Sequence, residues 1–246
     1  MTDIYTNILM FFAYCFLGYF VEVIYCSIGE RHFVNRGFLH GPWLPIYGFG
    51  GMFIHIFLTR FKSYGILGGI AIFLLSGIST SIIEYIGSVA LERLFSIKLW
   101  DYSTYKYNIN GRVCLKNSTF FALMGLAVVY LIGPKISELI YSIPILYVRI
   151  ASIILLALFS IDFILSTMKM ASFKKALLEL YDKAKSLSSM VEDDYEEIVD
   201  IIHKSFKRII SSFPGATSSY DEFKKAIELL RRKNKELMVR NKKHKG

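Results

Sequence analysis

The sequence predicts an all-α membrane protein, a polytopic helix bundle built on a tandem two-span repeat and followed by a helical cytoplasmic tail. Of its 246 residues 54% are apolar and 20% are charged, and the mean hydropathy is +0.43. These values are typical of membrane proteins. Residues 1–168 contain 11 Lys/Arg and 8 Asp/Glu, whereas residues 169–246 contain 18 and 12. We therefore expect a transmembrane domain over residues 1–168 and a soluble basic tail over residues 169–246.

Five apolar runs are predicted to cross the membrane. A helical span needs about 20 residues, and the second and fourth runs are shorter than that. A tilted or re-entrant segment is therefore an alternative for those two runs. The runs cover about residues 4–28, 43–58, 65–91, 118–132 and 143–168.

The distribution of cations predicts the orientation in the cell membrane. Five crossings place the two termini on opposite sides. The 18 Lys/Arg of the tail favour a cytoplasmic C-terminus, because cationic segments flanking a span stay inside. The N-terminus is then outside.

A pattern that occurs twice predicts the tandem repeat. Glu22 is followed by Glu30-Arg31-His32-Phe33, and Glu84 is followed by Glu92-Arg93-Leu94-Phe95, which gives E-x7-E-R-x-F at an offset of 62 positions. After each copy come a polar loop and another apolar run. We expect two like-oriented repeats of two spans each, over about residues 4–58 and 65–132.

Two carboxylates inside apolar runs predict a shared polar site. An acid within lipid is costly, and acids at matching repeat positions favour a site between the repeats. The two polar loops would cover a cavity that opens to the cytoplasm. The alternative is that the loops only cap the helices and neutralise the carboxylates. The candidate lining residues are polar or aromatic: Glu22, Asn35, Arg36, His40, Glu84, Trp100, Asp101, Asn110 and Arg112.

Three local features add to this interpretation. Asn110-Gly111 is a strong turn signal. Pro45 is expected in the first turn of the second span, where proline is tolerated. Asp162 is a third acid within an apolar run, and we expect its side chain to reach the cytoplasmic interface.

Several strings resemble a known family. They are N-R-G-F-L-H-G-P at residues 35–42, W-D-Y-S at residues 100–103 and N-I-N-G at residues 108–111. Together they resemble the bacterial CmpB-like family of ABC-transporter type IV permeases over about residues 8–165. The resemblance implies a multi-pass transport protein. It assigns no residue roles, and the tail lies outside it.

The tail is predicted to form three amphipathic helices between residues 172 and 241. Capping boxes at Ser189–Glu192 and Ser219–Glu222 indicate two helix starts, and Phe213-Pro214-Gly215 indicates a break. A helical hairpin or an oligomerising coiled coil is expected. Its cationic end is expected to contact anionic lipid headgroups. No nucleic-acid-binding motif supports a nucleic-acid partner.

The motifs absent from the sequence restrict the function. There is no P-loop, zinc-protease or nucleophile-elbow motif, so no enzyme activity, catalytic residue, metal or cofactor is expected. The leading hypothesis is a permease-like transport subunit that works with an ATPase on a separate chain and forms a homo-oligomer. The alternative is a membrane-anchored scaffold or regulator acting through the tail. An enzyme acting on lipid headgroups is the third hypothesis.

Overall fold

Long apolar helices dominate the structure. The computed structural model describes residues 3–186, 192–213 and 215–218, together with residues 225 and 228. Within them, four continuous helical stretches are long and apolar enough to cross a membrane: Ile4–Gly29, Pro45–Phe95, Leu115–Tyr141 and Ile145–Glu179. The all-α membrane class predicted from composition is confirmed.

Helix α1 covers Ile4–Glu30 and agrees with the first predicted span. Asp3 caps its N-terminus, because the side chain accepts a hydrogen bond from the Tyr5 backbone N–H at 3.1 Å. The helix ends at Arg31, which adopts the left-handed conformation with φ +55°.

The second stretch contains 51 residues and folds back on itself. A straight helix of that length would measure about 75 Å, far more than the thickness of a bilayer. The chain turns at Gly65, whose φ of +59° is accessible to glycine without strain. On either side of the turn Gly50 faces the Thr80 methyl group and Gly87 faces Ile46, so the two arms are antiparallel.

The first arm of this hairpin changes its helical type along its length. Helix α2 covers Pro45–Phe53, with Pro45 in its first turn as predicted. It continues as a π-helical turn over Ile54–Leu58 and a 3-10 segment over Thr59–Tyr64. The second arm is helix α3, Gly65–Phe95.

The last two stretches are longer than the predicted spans. Helix α4 covers Leu115–Ala127, a π-helical turn covers Val128–Ile132, and helix α5 covers Gly133–Tyr141. This stretch extends the fourth predicted span at both ends. Helix α6 covers Ile145–Ser186 and passes through the charge boundary at residue 168, because no proline or glycine interrupts it.

A short hairpin lies in the loop between α3 and α4. Strands β1 (Asn108–Ile109) and β2 (Val113–Cys114) pair antiparallel. Asn110 and Gly111 both have positive φ, +54° and +66°, which is the conformation that a tight hairpin turn requires. The turn predicted from Asn110-Gly111 is confirmed.

The chain divides into two compact units. The first comprises residues 1–87 and 102–164, and the second comprises residues 88–101 and 165–246. The core of the first unit is apolar and is formed by residues from several helices: Met10, Tyr14, Ile54, Leu58, Ile72, Val128, Val129, Ile140 and Val148.

Two pairs of helices in the first unit pack through small residues. Gly51 of α2 lies against the Tyr14 ring of α1, and Gly125 of α4 lies against the Ser76 side chain of α3. Small residues allow this close approach, which favours helix association in lipid.

The second unit contains the end of α6 and helix α7, Glu192–Ser212. The Phe173 and Phe206 rings lie 5.1 Å apart, and Leu177, Ile202 and Ile209 are buried, as their amphipathic spacing predicts. Residues of the two parts of this unit also pair, with reciprocal backbone hydrogen bonds of 2.8 and 2.9 Å between Lys98 and Thr217. The predicted third tail helix and the caps at Ser189 and Ser219 lie outside the described residues.

Gly51→Ala is expected to destabilise the first unit by about 1–3 kcal/mol, because an added methyl group would overpack the helix contact. It would lie 2.6 Å from Tyr14 Cγ. Gly29→Ala is the matched control, because nothing lies within 4 Å of a Cβ at Gly29. Thermal unfolding of both variants in detergent, followed by circular dichroism, measures the difference. Equal stability of the two variants would contradict this packing.

Candidate functional site

The Glu22 carboxylate is fully partnered. It lies on α1 and forms an ion pair with Arg36, whose Nε is 3.3 Å from Oε1. The Tyr47 hydroxyl donates to Oε2 at 2.7 Å, and Cys26 Sγ lies 3.5 Å from Oε1. The Tyr47 ring lies directly on Gly18, where any side chain would displace it. The absence of a side chain at Gly18 therefore positions a hydrogen-bond donor for the acid on the next turn.

The Glu84 carboxylate is deeply buried and has fewer partners. It lies on α3 with 4% of its surface exposed. The Tyr102 hydroxyl donates to Oε1 at 3.2 Å. Its other oxygen, Oε2, is buried and has no hydrogen-bond partner among the described residues. Such a buried polar atom is uncommon in folded proteins.

The two acids converge on one phenol. Burial raises the pKa of Tyr102 well above its ordinary value, and the charges of Glu84 and then Glu22 raise it further. The positive charge of Arg36 lowers the pKa of the same hydroxyl. Both carboxylates and the cation therefore lie within electrostatic reach of Tyr102. We call Glu22, Arg36, Tyr47, Glu84 and Tyr102 the acid cluster.

Asp162 of α6 holds the loop that follows α1. Its Oδ1 accepts hydrogen bonds from the His40 backbone N–H at 2.9 Å and from His40 Nδ1 at 3.2 Å. Its Oδ2 accepts from the Gly41 backbone N–H at 2.7 Å and from Trp43 Nε1 at 2.8 Å. Four donors from this loop therefore hold the Asp162 carboxylate, and its position relative to the membrane interface stays a prediction.

Three further predicted residues lie in the first unit beside tyrosines. Asn35 Oδ1 accepts from the Tyr19 hydroxyl at 2.6 Å. Asn110 Nδ2 donates to the Tyr85 hydroxyl at 2.8 Å, and the Arg112 guanidinium lies over the Tyr85 ring at 5.8 Å from its centroid.

Trp100 and Asp101 belong to the second unit. Asp101 Oδ2 accepts a hydrogen bond from Thr217 Oγ1 at 3.3 Å. The nine candidate lining residues therefore make different sets of contacts. Glu22, Arg36 and Glu84 belong to the acid cluster, His40 is bound by Asp162, and Asn35, Asn110 and Arg112 contact tyrosines.

Sequence reasoning did not identify the tyrosines or the anchoring role of Asp162. Tyr47 and Tyr102 supply the hydroxyl donors for the two acids. The one signal for Tyr102 is its place in the W-D-Y-S string, and no spacing rule connects Tyr47 to Glu22.

A cavity of about 550 Å³ lies at the other end of α1 from Glu22. Asp3 is among its lining residues, and Asp3 and Glu22 are roughly 28 Å apart along the helix at about 1.5 Å per residue. Asp3 also forms an ion pair with Arg149 at 3.1 Å. The lining is largely apolar: Asp3, Thr6, Ile140, Tyr141, Ile143, Pro144, Ile145 and Val148. Among the described residues, no group of three or more His, Cys, Asp or Glu could hold a metal ion.

Four apolar helical stretches, two of which carry the acids Glu22 and Glu84, define a multi-pass membrane protein. The chain belongs to the family described as "Putative ABC-transporter type IV", whose model matches residues 9–167. This match confirms the resemblance predicted from the loop strings and makes the chain a transport-related membrane protein. No curated protein and no solved structure matches it.

Asp162→Asn is expected to loosen the loop that follows α1, because an amide nitrogen cannot accept the hydrogen bonds that one carboxylate oxygen now receives. We expect amide hydrogen exchange at His40 and Gly41 to accelerate by about tenfold or more, the equivalent of ~1.4 kcal/mol. Ser160→Ala on the same helix is the control, since its hydroxyl donates to the Leu156 carbonyl within the helix at 2.7 Å. Unchanged exchange in Asp162→Asn would refute the anchoring role.

Tyr102→Phe is expected to lower stability by about 1–2 kcal/mol at neutral pH, through loss of the hydrogen bond to Glu84. A phenol whose pKa is raised on folding stabilises the folded state below its ordinary pKa of about 10 and loses that stabilisation as pH rises. The stability difference between the wild type and Tyr102→Phe should therefore shrink above about pH 10. Unfolding in detergent across this pH range measures it, with Tyr107→Phe as the control for an exposed phenol of the same loop. A constant difference would contradict the burial of this hydroxyl.

Proposed function

We propose that the chain is a permease-like membrane subunit of a transporter and that the acid cluster is its polar site, open to the cytoplasm. The observation that carries this proposal is the pair of acids on apolar helices: Glu22 is paired with Arg36 at 3.3 Å, and Glu84 is buried with one oxygen that has no partner among the described residues. Ionisable groups inside membrane-spanning helices are costly and typically belong to substrate or ion pathways.

A tandem repeat is part of this proposal, and equivalent helix contacts support it. Glu84 follows Glu22 by 62 positions, and Ser76 follows Tyr14 by the same number. Gly51 packs against Tyr14 and Gly125 packs against Ser76, and these two glycines are 74 positions apart. The increase of 12 positions agrees with the longer second loop.

Two more correspondences support the same register. Gly48 lies against Cys15 in the first pair of helices, and Ala122 lies against Gly77 in the second. Gly77 follows Cys15 by 62 positions, and Ala122 follows Gly48 by 74. The π-helical turns begin at Ile54 and at Val128, which are also 74 positions apart. Acids at matching repeat positions fit a site between the repeats.

We propose that the chain crosses the membrane five times, with the N-terminus outside and the C-terminus in the cytoplasm. The reversal at Gly65 supports two crossings within Pro45–Phe95. The cations of residues 169–246 support the orientation. The acid cluster, near the C-terminal end of α1, then lies toward the cytoplasm.

The proposed partners are an ATPase, further copies of this chain and anionic lipids. We propose an ATPase on a separate chain as the partner, because the family is described as an ABC-transporter type and residues 1–246 contain no P-loop. A homo-oligomer would supply the remaining helices of the pathway. The basic tail would contact anionic lipid headgroups in addition to the bilayer itself.

A scaffold function is the second proposal, and the continuity of α6 favours it. This helix runs unbroken from its apolar part into the second unit, where Phe173 and Phe206 pack together. The scaffold proposal assigns the binding of partners to the packed helices of the second unit. In that case the acid cluster would only stabilise the fold.

The double variant Glu22→Gln/Glu84→Gln is expected to abolish the phenotype that the wild-type gene restores in a deletion strain, while the protein remains folded in the membrane. Glu138→Gln is the control, because Glu138 is an exposed acid of α5. An ATPase that copurifies with the wild type would support the permease. Full complementation by the folded double variant would refute a functional acid cluster.

Ending the chain at Ser186 separates the two proposals. The permease proposal expects residual function from the first unit, and the scaffold proposal expects complete loss. Complete loss in the truncated chain together with full function of the double variant would favour the scaffold.

A further inference from the structure

The two acids of the cluster have unequal surroundings. Glu22 has hydrogen-bond donors at both oxygens and a guanidinium partner, Arg36. Glu84 has one phenol at Oε1, and its buried Oε2 has no partner among the described residues. Glu84 is therefore buried more deeply than Glu22 and has fewer hydrogen-bond donors and cations that would stabilise a negative charge.

The register of the repeat explains this inequality. With the offset of 74 that relates α2 to α4, the position equivalent to Tyr47 is Phe121. Its ring lies 5.8 Å from the Tyr47 ring and brings no hydroxyl. Glu84 thus lacks the donor that its counterpart has. Among the described residues its donor is Tyr102, from the second loop, which is longer than the first.

The charges that face Glu84 do not balance in the ionised state. Glu22 acts on it from α1, the Tyr102 hydroxyl donates to it from the second loop, and Tyr47 of α2 lies within electrostatic reach of both acids. Two carboxylates beside one guanidinium leave a net charge of −1, and Arg36 is already paired with Glu22. A buried charge without a partner is strongly disfavoured, and the group takes up a proton instead.

We propose that Glu84 is a proton-binding site, which carries a proton on Oε2 at neutral pH while Glu22 keeps its ion pair with Arg36. The inference deepens the proposed function, on which it rests for its role in transport, and names the proton as a ligand of the acid cluster. Release breaks the O–H bond at Oε2 and transfers the proton to water. Two carboxylates then compete for Arg36, which makes the pairing of Arg36 dependent on the protonation of Glu84.

Infrared spectroscopy of the full chain in lipid tests the site, because a neutral carboxylic acid has a carbonyl stretch that a carboxylate lacks. We expect this band in the wild type at neutral pH, its loss in Glu84→Gln and its retention in the matched variant Glu22→Gln. Absence of the band in the wild type would overturn the proposal. Its persistence in Glu84→Gln with loss in Glu22→Gln would also overturn it.

A second measurement needs no substitution at either acid. A hydrophobic carbodiimide reacts with protonated carboxyl groups in membranes, and trypsin places Glu22 and Glu84 in different peptides, residues 1–31 and 63–93. Mass spectrometry of the labelled wild type should find incorporation at Glu84 roughly tenfold above that at Glu22, because the unpartnered buried acid is the one that holds a proton. Labelling should fall as pH rises. Greater labelling at Glu22 would overturn the proposal.

These measurements require no transport activity, so the two proposals can fail separately. A Glu84 band together with full complementation by the folded double variant would leave the proton site intact and refute its role in transport. No Glu84 band together with loss of complementation would refute the proton site and leave the permease proposal intact.

Discussion

The pairing of carboxylates within apolar helices is the constraint on which the rest of the first unit depends. Glu22 is compatible with its helix because Arg36 and Tyr47 reach it from two other segments. That requirement folds the loop after α1 back toward the helix it has just left. It also places Tyr47 on α2 directly against Gly18. The partners of the Glu22 carboxylate thus connect α1 to the loop that follows it and to α2, and Gly18 leaves room for the Tyr47 ring.

A second acid completes the arrangement of the same loop. Asp162 on α6 accepts hydrogen bonds from two backbone N–H groups and two side chains between His40 and Trp43. The loop is therefore held by acids on two helices, Glu22 through Arg36 and Asp162 directly. In lipid, where apolar burial drives helices together only weakly, such polar contacts and close packing of small residues carry much of the association.

Local patterns were sufficient for the helices and turns but not for their full lengths. Pro45, Asn110-Gly111 and the apolar runs each predicted a feature that the structure confirms. The third stretch is longer than the fourth predicted span, because residues up to Tyr141 extend the helix although Lys135 and Glu138 lower the local hydropathy. The α6 helix continues past the last apolar residues, since backbone hydrogen bonding does not end where hydropathy does.

The sequence by itself determined the membrane class, the family and the two acids, because hydropathy, unusual strings and charges in apolar runs are properties of short segments. Only the tertiary structure decided what those acids contact. Tyr47 is 25 residues from Glu22, and His40 is 122 residues from Asp162. Contacts over such separations depend on how helices pack and loops fold back, and no local spacing encodes them. The same packing places Tyr102 within reach of both acids, and it leaves one oxygen of Glu84 without a donor among the described residues.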